Sequence, residues 1–305
     1  MKLRKGIALC LIIGIGSVFE WRSGVLDSAL YDIMNKASVA VEGQDGHDES
    51  IDLYSQNAIL LDSDGKTLLT KNAEERIAPA SLTKIMTVHV ALQHLSNLQQ
   101  TIEMPSTIYP YLERENASMA GFLPHEIVTV EDLLNGALLS SGAEACVTLA
   151  IMTSGSEEAF VQLMNQEAER LGMRNTHFMN CTGLDQEGHY SSVEDIALLL
   201  RASLQNTTFT HIFHNGFYKM VTNQHPDGLS LTSTMHQTME AQGITSPYLK
   251  GGKTGYTQAA GLCLASQGEV DGNSYILVTA RANGDNESSP YHIMDAIRVY
   301  EQLAD

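Results

Sequence analysis

Two serines, two lysines and a threonine stand at spacings in this chain that could activate a hydroxyl and hold an anion. Ser81 and Lys84 are three apart in Ser81-Leu82-Thr83-Lys84, so on a helix they share one face. A serine hydroxyl becomes a nucleophile when a base takes its proton. Lys84 can be that base only when neutral, which means moving its pKa from about 10.4 to near 7, roughly 4–5 kcal/mol of differential stabilisation. Burial and a second nearby cation can supply this, and Lys253 is the natural candidate. At the start of its helix, Ser81 would also sit among unpaired backbone N–H groups that favour a developing negative charge. Lys253-Thr254-Gly255 precedes an apolar run that reads as a strand, and Gly255 would let a substrate backbone approach closely. Ser141-Gly142-Ala143 falls between the two lysine motifs, where Ser141 could equally cap a helix ahead of Glu144.

The elements that must position these residues follow from hydrophobic period and turn chemistry. Asn57 to Asp62 reads as a strand, Asp64-Gly65 as a turn and Thr67 to Thr70 as the returning strand. Helical patterns follow over Ser81 to Leu95, with Ile85, Val88, Leu92 and Leu95 on one face, then over Thr129–Leu139, Glu144–Thr153, Ser156–Leu171 and Val193–Leu204. Strand character returns at Gly261–Glu269 and Ser274–Ala282, joined through Asp271-Gly272, and Ser289–Leu303 closes as an amphipathic helix. Strands at both ends with helices between predict a sheet whose edges come from the two termini, covered by helices, beside a helical subdomain.

The flanking residues carry a resemblance. Ala78-Pro79-Ala80-Ser81-Leu82-Thr83-Lys84-Ile85-Met86-Thr87 and Leu249-Lys250-Gly251-Gly252-Lys253-Thr254-Gly255-Tyr256-Thr257 resemble two motif segments of the low-molecular-weight penicillin-binding proteins, the serine-type D-alanyl-D-alanine carboxypeptidases of peptidase family S11. His177-Phe178-Met179-Asn180, Gly183-Leu184-Asp185 and His189-Tyr190-Ser191-Ser192 are similar to that family's middle region, and the likeness covers roughly residues 53 to 305. It implies an α+β fold of the β-lactamase and penicillin-binding transpeptidase type, an antiparallel sheet flanked by helices beside an all-helical lobe. It implies Ser81 as nucleophile, Lys84 as base and Ser141 as proton relay to the leaving amine. Lys253 and Thr254 would bind the terminal carboxylate, Gly255 would admit the substrate, and the N–H groups of Ser81 and Tyr256 would form the oxyanion hole. The partners implied are a peptidoglycan stem peptide ending in D-Ala-D-Ala and β-lactams as covalent inhibitors, with no cofactor. The family places S-x-N where this chain has Ser141-Gly142-Ala143, so the asparagine contact is missing. A D,D-endopeptidase or transpeptidase, a β-lactamase, and a non-catalytic wall-binding homologue are the alternatives.

Composition narrows the rest. The chain has 305 residues, 43% hydrophobic, enough for a full core, and a net charge of −18 that argues against nucleic acid and against attachment to an anionic bilayer. Lys2, Arg4 and Lys5 precede an apolar run from Gly6 to Phe19, of signal-peptide length. Residues 1–22 therefore read as signal peptide or membrane anchor, 23–50 as linker and 51–305 as the catalytic domain of an exported, extracytoplasmic protein. Any membrane attachment would come from the N-terminus. Cys10, Cys146, Cys181 and Cys263 fit no zinc spacing, and Cys146 and Cys263 read as core. Glu131-Asp132-Leu133-Leu134-Asn135 resembles a deacylation motif of class A β-lactamases but precedes the middle motif, so it reads as an ordinary helix. His177, His189, His211 and His214 show no metal-ligand spacing and read as structural or solvated.

Overall fold

The computed structural model describes residues 37–42 and 48–304. The segment read as signal peptide or anchor, 1–22, lies outside the described residues. In chain order the elements are β1 (Ala37–Glu42), β2 (Asp48–Leu53), β3 (Asn57–Leu61), β4 (Thr67–Lys71), α1 (Thr83–His94), β5 (Thr101–Glu103), α2 (Tyr109–Arg114), β6 (Ile127–Thr129), α3 (Val130–Leu138), α4 (Ala143–Ser154) and α5 (Glu157–Leu171). Then come α6 (Val193–Ser203), α7 (Thr207–His214), β7 (Phe217–Met220), β8 (Leu229–Thr232), α8 (Thr234–Ala241), β9 (Leu249–Thr257), β10 (Gly261–Val270), β11 (Asn273–Ala282) and α9 (Tyr291–Gln302).

Among the described residues the main sheet has seven strands in the order β2-β1-β4-β3-β11-β10-β9, with β2 and β9 at the edges. N-terminal and C-terminal strands meet at the antiparallel β3–β11 pair. Helices cover both faces, which is why the central strands read as apolar runs. Ile59 and Leu61 of β3, with Ile276, Val278 and Ala280 of β11, join the core under the helical lobe. The alternate residues Ala58, Leu60 and Leu277 join the core under α9. Period-two alternation thus feeds two cores from one sheet.

Helix α1 runs through the middle of the molecule. Its residues from Thr83 to Ala91 are all buried, so it is enclosed on every side rather than along the single apolar stripe that periodicity suggested. The first two turns of α4 are equally enclosed. Helices α3, α5 and α6 carry side-chain N-caps at Thr129, Ser156 and Ser192, which set their starts where the pattern predicted.

One boundary differs. Strands β1 and β2 pair antiparallel, with Ala37 opposite Leu53 and Glu42 opposite Asp48, so β1 and the first residues of β2 fall in the stretch 23–50 read as linker. The alternation Ser38-Val39-Ala40-Val41 and Ser50-Ile51-Asp52-Leu53 has the strand period, but the neighbouring Gly/Asp/Glu-rich run outweighed it in the linear reading. The short β5–β6 and β7–β8 ladders and helices α2, α7 and α8 were also not anticipated.

Candidate active site

Ser81 sits in a single 3-10 turn, Ala80–Leu82, directly before α1. The turn is entered through Ala80 at φ +46, a left-handed conformation that non-glycine residues rarely adopt. Two glycines make this corner fit. A Cβ on Gly183 would lie 1.9 Å from the Ala80 carbonyl oxygen, and one on Gly255 would lie 3.2 Å from the Ser81 nitrogen. A side chain at 183 would therefore drive the loop off the Ala80–Ser81 backbone, and one at 255 would press strand β9 against it. Since β9 is an edge, alternate N–H groups along it have no strand partner, and Tyr256 lines the same cleft as Ser81.

One helical turn on, Lys84 is 2% exposed, and its Nζ lies 2.9 Å from Ser81 Oγ. It also donates to the Thr182 carbonyl at 2.5 Å. Burial pushes the Lys84 ammonium down, against the raising influence of nearby Cys146, Cys181 and Glu144. Ser141 Oγ is 2.9 Å from Ser81 Oγ, and Lys253 Nζ is 3.0 Å from Ser141 Oγ. Burial pushes Lys253 well down, and the charge on Lys84 adds to this. Two buried amines joined through two hydroxyls disfavour double protonation. The four residues form one continuous chain: Lys84, Ser81, Ser141, Lys253. The chemistry open to such a chain is removal of a proton from Ser81 and its passage through Ser141.

Ser141 is held at φ +59 ahead of α4. The N-cap of that helix is Gly142, without a side-chain cap bond, so Ser141 does not serve as N-cap. Its hydroxyl is committed to the cleft. Ala143 is 1% exposed, and its N–H donates to the Ser118 carbonyl at 2.8 Å. Where the resemblance leads one to look for an asparagine that contacts the substrate amide or the lysine, Ala143 offers neither contact, and Lys84 donates to the Thr182 carbonyl.

Two buried side chains hold the walls. Asn180 Oδ1 accepts from the N–H groups of Thr182 and Gly183 at 3.2 and 2.8 Å and from Thr182 Oγ1 at 3.1 Å. Its Nδ2 donates to the Leu184 carbonyl at 2.9 Å. That loop also docks on α1 through Thr83 with His189 and through Thr87 with the Cys181 carbonyl. On the other side Glu144, 0% exposed, accepts through Oε1 from the N–H groups of Ala120, Gly121 and Phe122 at 2.7, 2.9 and 3.3 Å. Burial raises its carboxyl pKa. These bonds fix the loop bearing Ser118, which lines the cleft.

The cleft has a volume of about 230 Å³. Ser81, Ser118 and Ser141 line it from the helical side, Thr254 from β9 and His292 from α9, and Thr234, whose N–H donates to the Leu139 carbonyl, lines it between them. Thr254 Oγ1 and Thr234 Oγ1 are 2.6 Å apart. Lys253 was expected to reach the substrate carboxylate. Its Nζ lies 3.0 Å from Ser141 Oγ and 2.9 Å from the Thr254 carbonyl. Thr182, Asn180, Glu144 and Thr234 were not singled out in the sequence. Asn180 lay within the quoted middle region, but a carbonyl contact such as that of Thr182 leaves no side-chain signature. The histidines expected to be structural behave so where they are bonded: His189 is buried against Thr83, and His214 lies 2.6 Å from Gln267. Among the described residues no group of three or more His, Cys, Asp or Glu could hold a metal, and Cys146, Cys181 and Cys263 are buried and free. Asp132 of the discounted E-x-x-L-N stretch completes a capping box with Thr129.

A nucleophile turn ahead of a buried helix, a serine–lysine chain and an edge strand bearing K-T-G define the class of the serine penicillin-recognising fold. The chain belongs to the D-alanyl-D-alanine carboxypeptidase family, peptidase S11, whose sequence model matches residues 43–284. It is similar to the D-alanyl-D-alanine carboxypeptidase DacF of Bacillus subtilis, 36% identical over 238 residues, 76% of this chain and 59% of that one. With DacC of Escherichia coli it shares 38% identity over 163 residues, 51% of this chain and 41% of that protein. The chain thus spans between two fifths and three fifths of these relatives. The crystal structure of the Streptomyces K15 DD-transpeptidase superposes with a TM-score of 0.73 at 26% identity, covering 82% of this chain and 97% of that one.

Proposed function

We propose that the chain is a serine D,D-carboxypeptidase that removes the terminal D-alanine from peptidoglycan stem peptides. The observation that carries this reading is the unbroken contact of Lys84, Ser81, Ser141 and Lys253 at the floor of one cleft. Neutral Lys84 takes the Ser81 proton as Oγ bonds to the penultimate D-alanine carbonyl carbon. The oxyanion is held by the N–H groups of Ser81 and Tyr256; each such donor is worth about 10²–10³ in rate. The proton passes through Ser141 to the peptide nitrogen, the C–N bond breaks and D-alanine leaves. Water then attacks the ester carbonyl, releasing the shortened peptide and restoring Ser81. Lys253 acts by orienting Ser141, while Thr254 faces the terminal carboxylate and Gly255 gives the substrate room.

β-Lactams would acylate the same Ser81 Oγ, and the substrate lies outside the cytoplasmic membrane. The basic start and apolar run at the N-terminus support export, and we place the catalytic unit at residues 37–305, which cluster compactly. Among the described residues no helix is long and apolar enough to cross a membrane.

The test is product analysis on a diacetylated pentapeptide ending in D-Ala-D-Ala, with and without an acceptor amine. Free D-alanine and a tetrapeptide are expected. A transferred product that dominates at low acceptor concentration would make the protein a transpeptidase, as the K15 relative is named. Ser81→Ala should abolish both D-alanine release and covalent labelling by fluorescent penicillin. Labelling of a folded Ser81→Ala protein at the wild-type rate refutes the assignment.

A further inference from the structure

Two of the motif segments end on residues that the chain of contacts above does not use. Gly183-Leu184-Asp185 ends one, and Thr257 ends the segment that carries Lys253-Thr254-Gly255. The two residues are 72 positions apart along the chain, and the fold brings them together: Thr257 Oγ1 donates to Asp185 Oδ1 at 2.8 Å. The same oxygen accepts from the Ala260 N–H at 3.1 Å, so the hydroxyl is held with its proton toward Asp185.

Each partner is anchored beside one half of the oxyanion hole. Asn180 clamps the Asp185 loop, its Nδ2 donating to the Leu184 carbonyl at 2.9 Å and to Gln186 Oε1 at 3.2 Å. Through Gly183 that loop lies against the Ala80 carbonyl, directly before Ser81. Thr257 is the last residue of β9 and follows Tyr256. Its strand has a ladder on one side only, with β10, and the last pair of that ladder is Thr257 opposite Gly261. The Thr257–Asp185 bond joins this free-edged strand end to the loop packed on the Ala80–Ser81 backbone. The two N–H groups come from different segments, yet each must lie about 2.7–3.1 Å from one developing oxyanion.

We propose that Asp185 is a positioning residue, holding the end of β9 through Thr257 so that the Tyr256 N–H meets the same oxygen as the Ser81 N–H. This rests on the acyl-transfer reading above. Asp185 is exposed, so its bond adds little to stability. Its effect is on where the strand end sits.

The experiment acylates the full chain with benzylpenicillin. Stopped flow gives the acylation rate constant at saturation, and infrared difference spectroscopy with an isotope-labelled β-lactam carbonyl gives the stretching frequency of the ester carbonyl. Hydrogen bonds in the oxyanion hole lower that frequency. Asp185→Ala should slow acylation about tenfold, short of the roughly 10²–10³ lost when a donor is removed outright, and should raise the frequency. Asp185→Asn still offers Oδ1 to Thr257 and should keep both near wild type. Thr257→Val also strips the Ala260 N–H of its acceptor and should be at least as slow as Asp185→Ala. The double variant should be no slower than Thr257→Val, because one contact is lost in each. Near-ultraviolet circular dichroism and the thermal midpoint confirm folding of each variant. If folded Asp185→Ala keeps either the wild-type rate or the wild-type frequency, the assignment is overturned. Fully multiplicative losses in the double variant would also overturn it, because Asp185 would then act without Thr257. If the wild type is not acylated at Ser81, the acyl-transfer reading itself falls.

Discussion

The two walls of the cleft are built on opposite principles. On the helical wall the groups around the nucleophile all have partners: Lys84 bonds Ser81 and Thr182, Ser141 bonds Ser81 and Lys253, and Asn180 ties its own loop at both ends of its amide. On the sheet wall groups are left over: an edge strand with unpaired N–H groups, a pair of threonine hydroxyls, and a histidine with a sealed, unbonded nitrogen. A saturated wall is rigid and presets the positions of the groups that move protons. An unsaturated wall meets its hydrogen-bonding needs when a ligand arrives. Chemistry is preorganised on one side and recognition awaited on the other.

The sharpest way to break this comparison is to remove the base. Lys84→Ala should lower the acylation rate by about 10²–10⁴ while leaving non-covalent affinity within severalfold, since the base acts in the transition state. Stopped-flow acylation separates the two, and a variant that loses affinity rather than rate would move Lys84 to the recognition side.

Acid should next erode both walls. His189, buried beside Thr83, and His292 each have a pKa lowered to about 4, by burial in both cases. Their folded values lie below the unfolded one, about 6.5, so the unfolded chain binds protons first as pH falls. Stability is therefore full above about pH 6.5 and is lost progressively down to about pH 4, by about 3 kcal/mol for each histidine. Urea unfolding across this range should show the slope. His189→Gln or His292→Gln should each make it shallower, with His89 and His236, whose pKa values burial also lowers, supplying part of what remains, and a slope unchanged in both variants would show that neither ring resists protonation.

Asn180→Ala tests whether the helical wall is held from behind. It leaves the N–H groups of Thr182 and Gly183 and the Leu184 carbonyl without their partner, at about 1–3 kcal/mol for each group that stays buried and unpaired. A lower thermal midpoint is expected, together with an acylation rate that falls more than non-covalent binding does, because the Thr182 carbonyl steers Lys84. A midpoint that falls with the acylation rate unchanged would reduce Asn180 to a purely structural role.

The smallest effect belongs to Ala143→Asn. The Lys84 contact an asparagine would make is already filled by Thr182, so acylation should change less than about tenfold, mostly through overpacking of a buried site. An increase beyond that would show that the Thr182 carbonyl is an incomplete substitute.

Much of this molecule was legible from local chemistry. The β3–β4 hairpin follows from Asp64-Gly65 between apolar runs, the β10–β11 hairpin from Asp271-Gly272, and α3, α5 and α6 from their helical apolar pattern. Ser81, Lys84, Lys253 and Thr254 could be named because their motifs are short and contiguous. Strands β1 and β2 are not legible in this way, because an edge hairpin beside a Gly/Asp/Glu-rich run has too little hydrophobic signal to stand out.

What the sequence determined, then, is the set of reactive groups and the elements that carry them, since both depend on residues within a few positions of one another. Only the tertiary structure decided how those groups are shared. Lys253 bonds Ser141, 112 residues away. Lys84 is matched with a backbone carbonyl 98 residues distant, and His292 is left with a buried ring nitrogen that meets no partner. Such assignments depend on which polar groups meet when distant segments pack, and on burial making every unmatched one costly. Neither quantity is written in spacing along the chain.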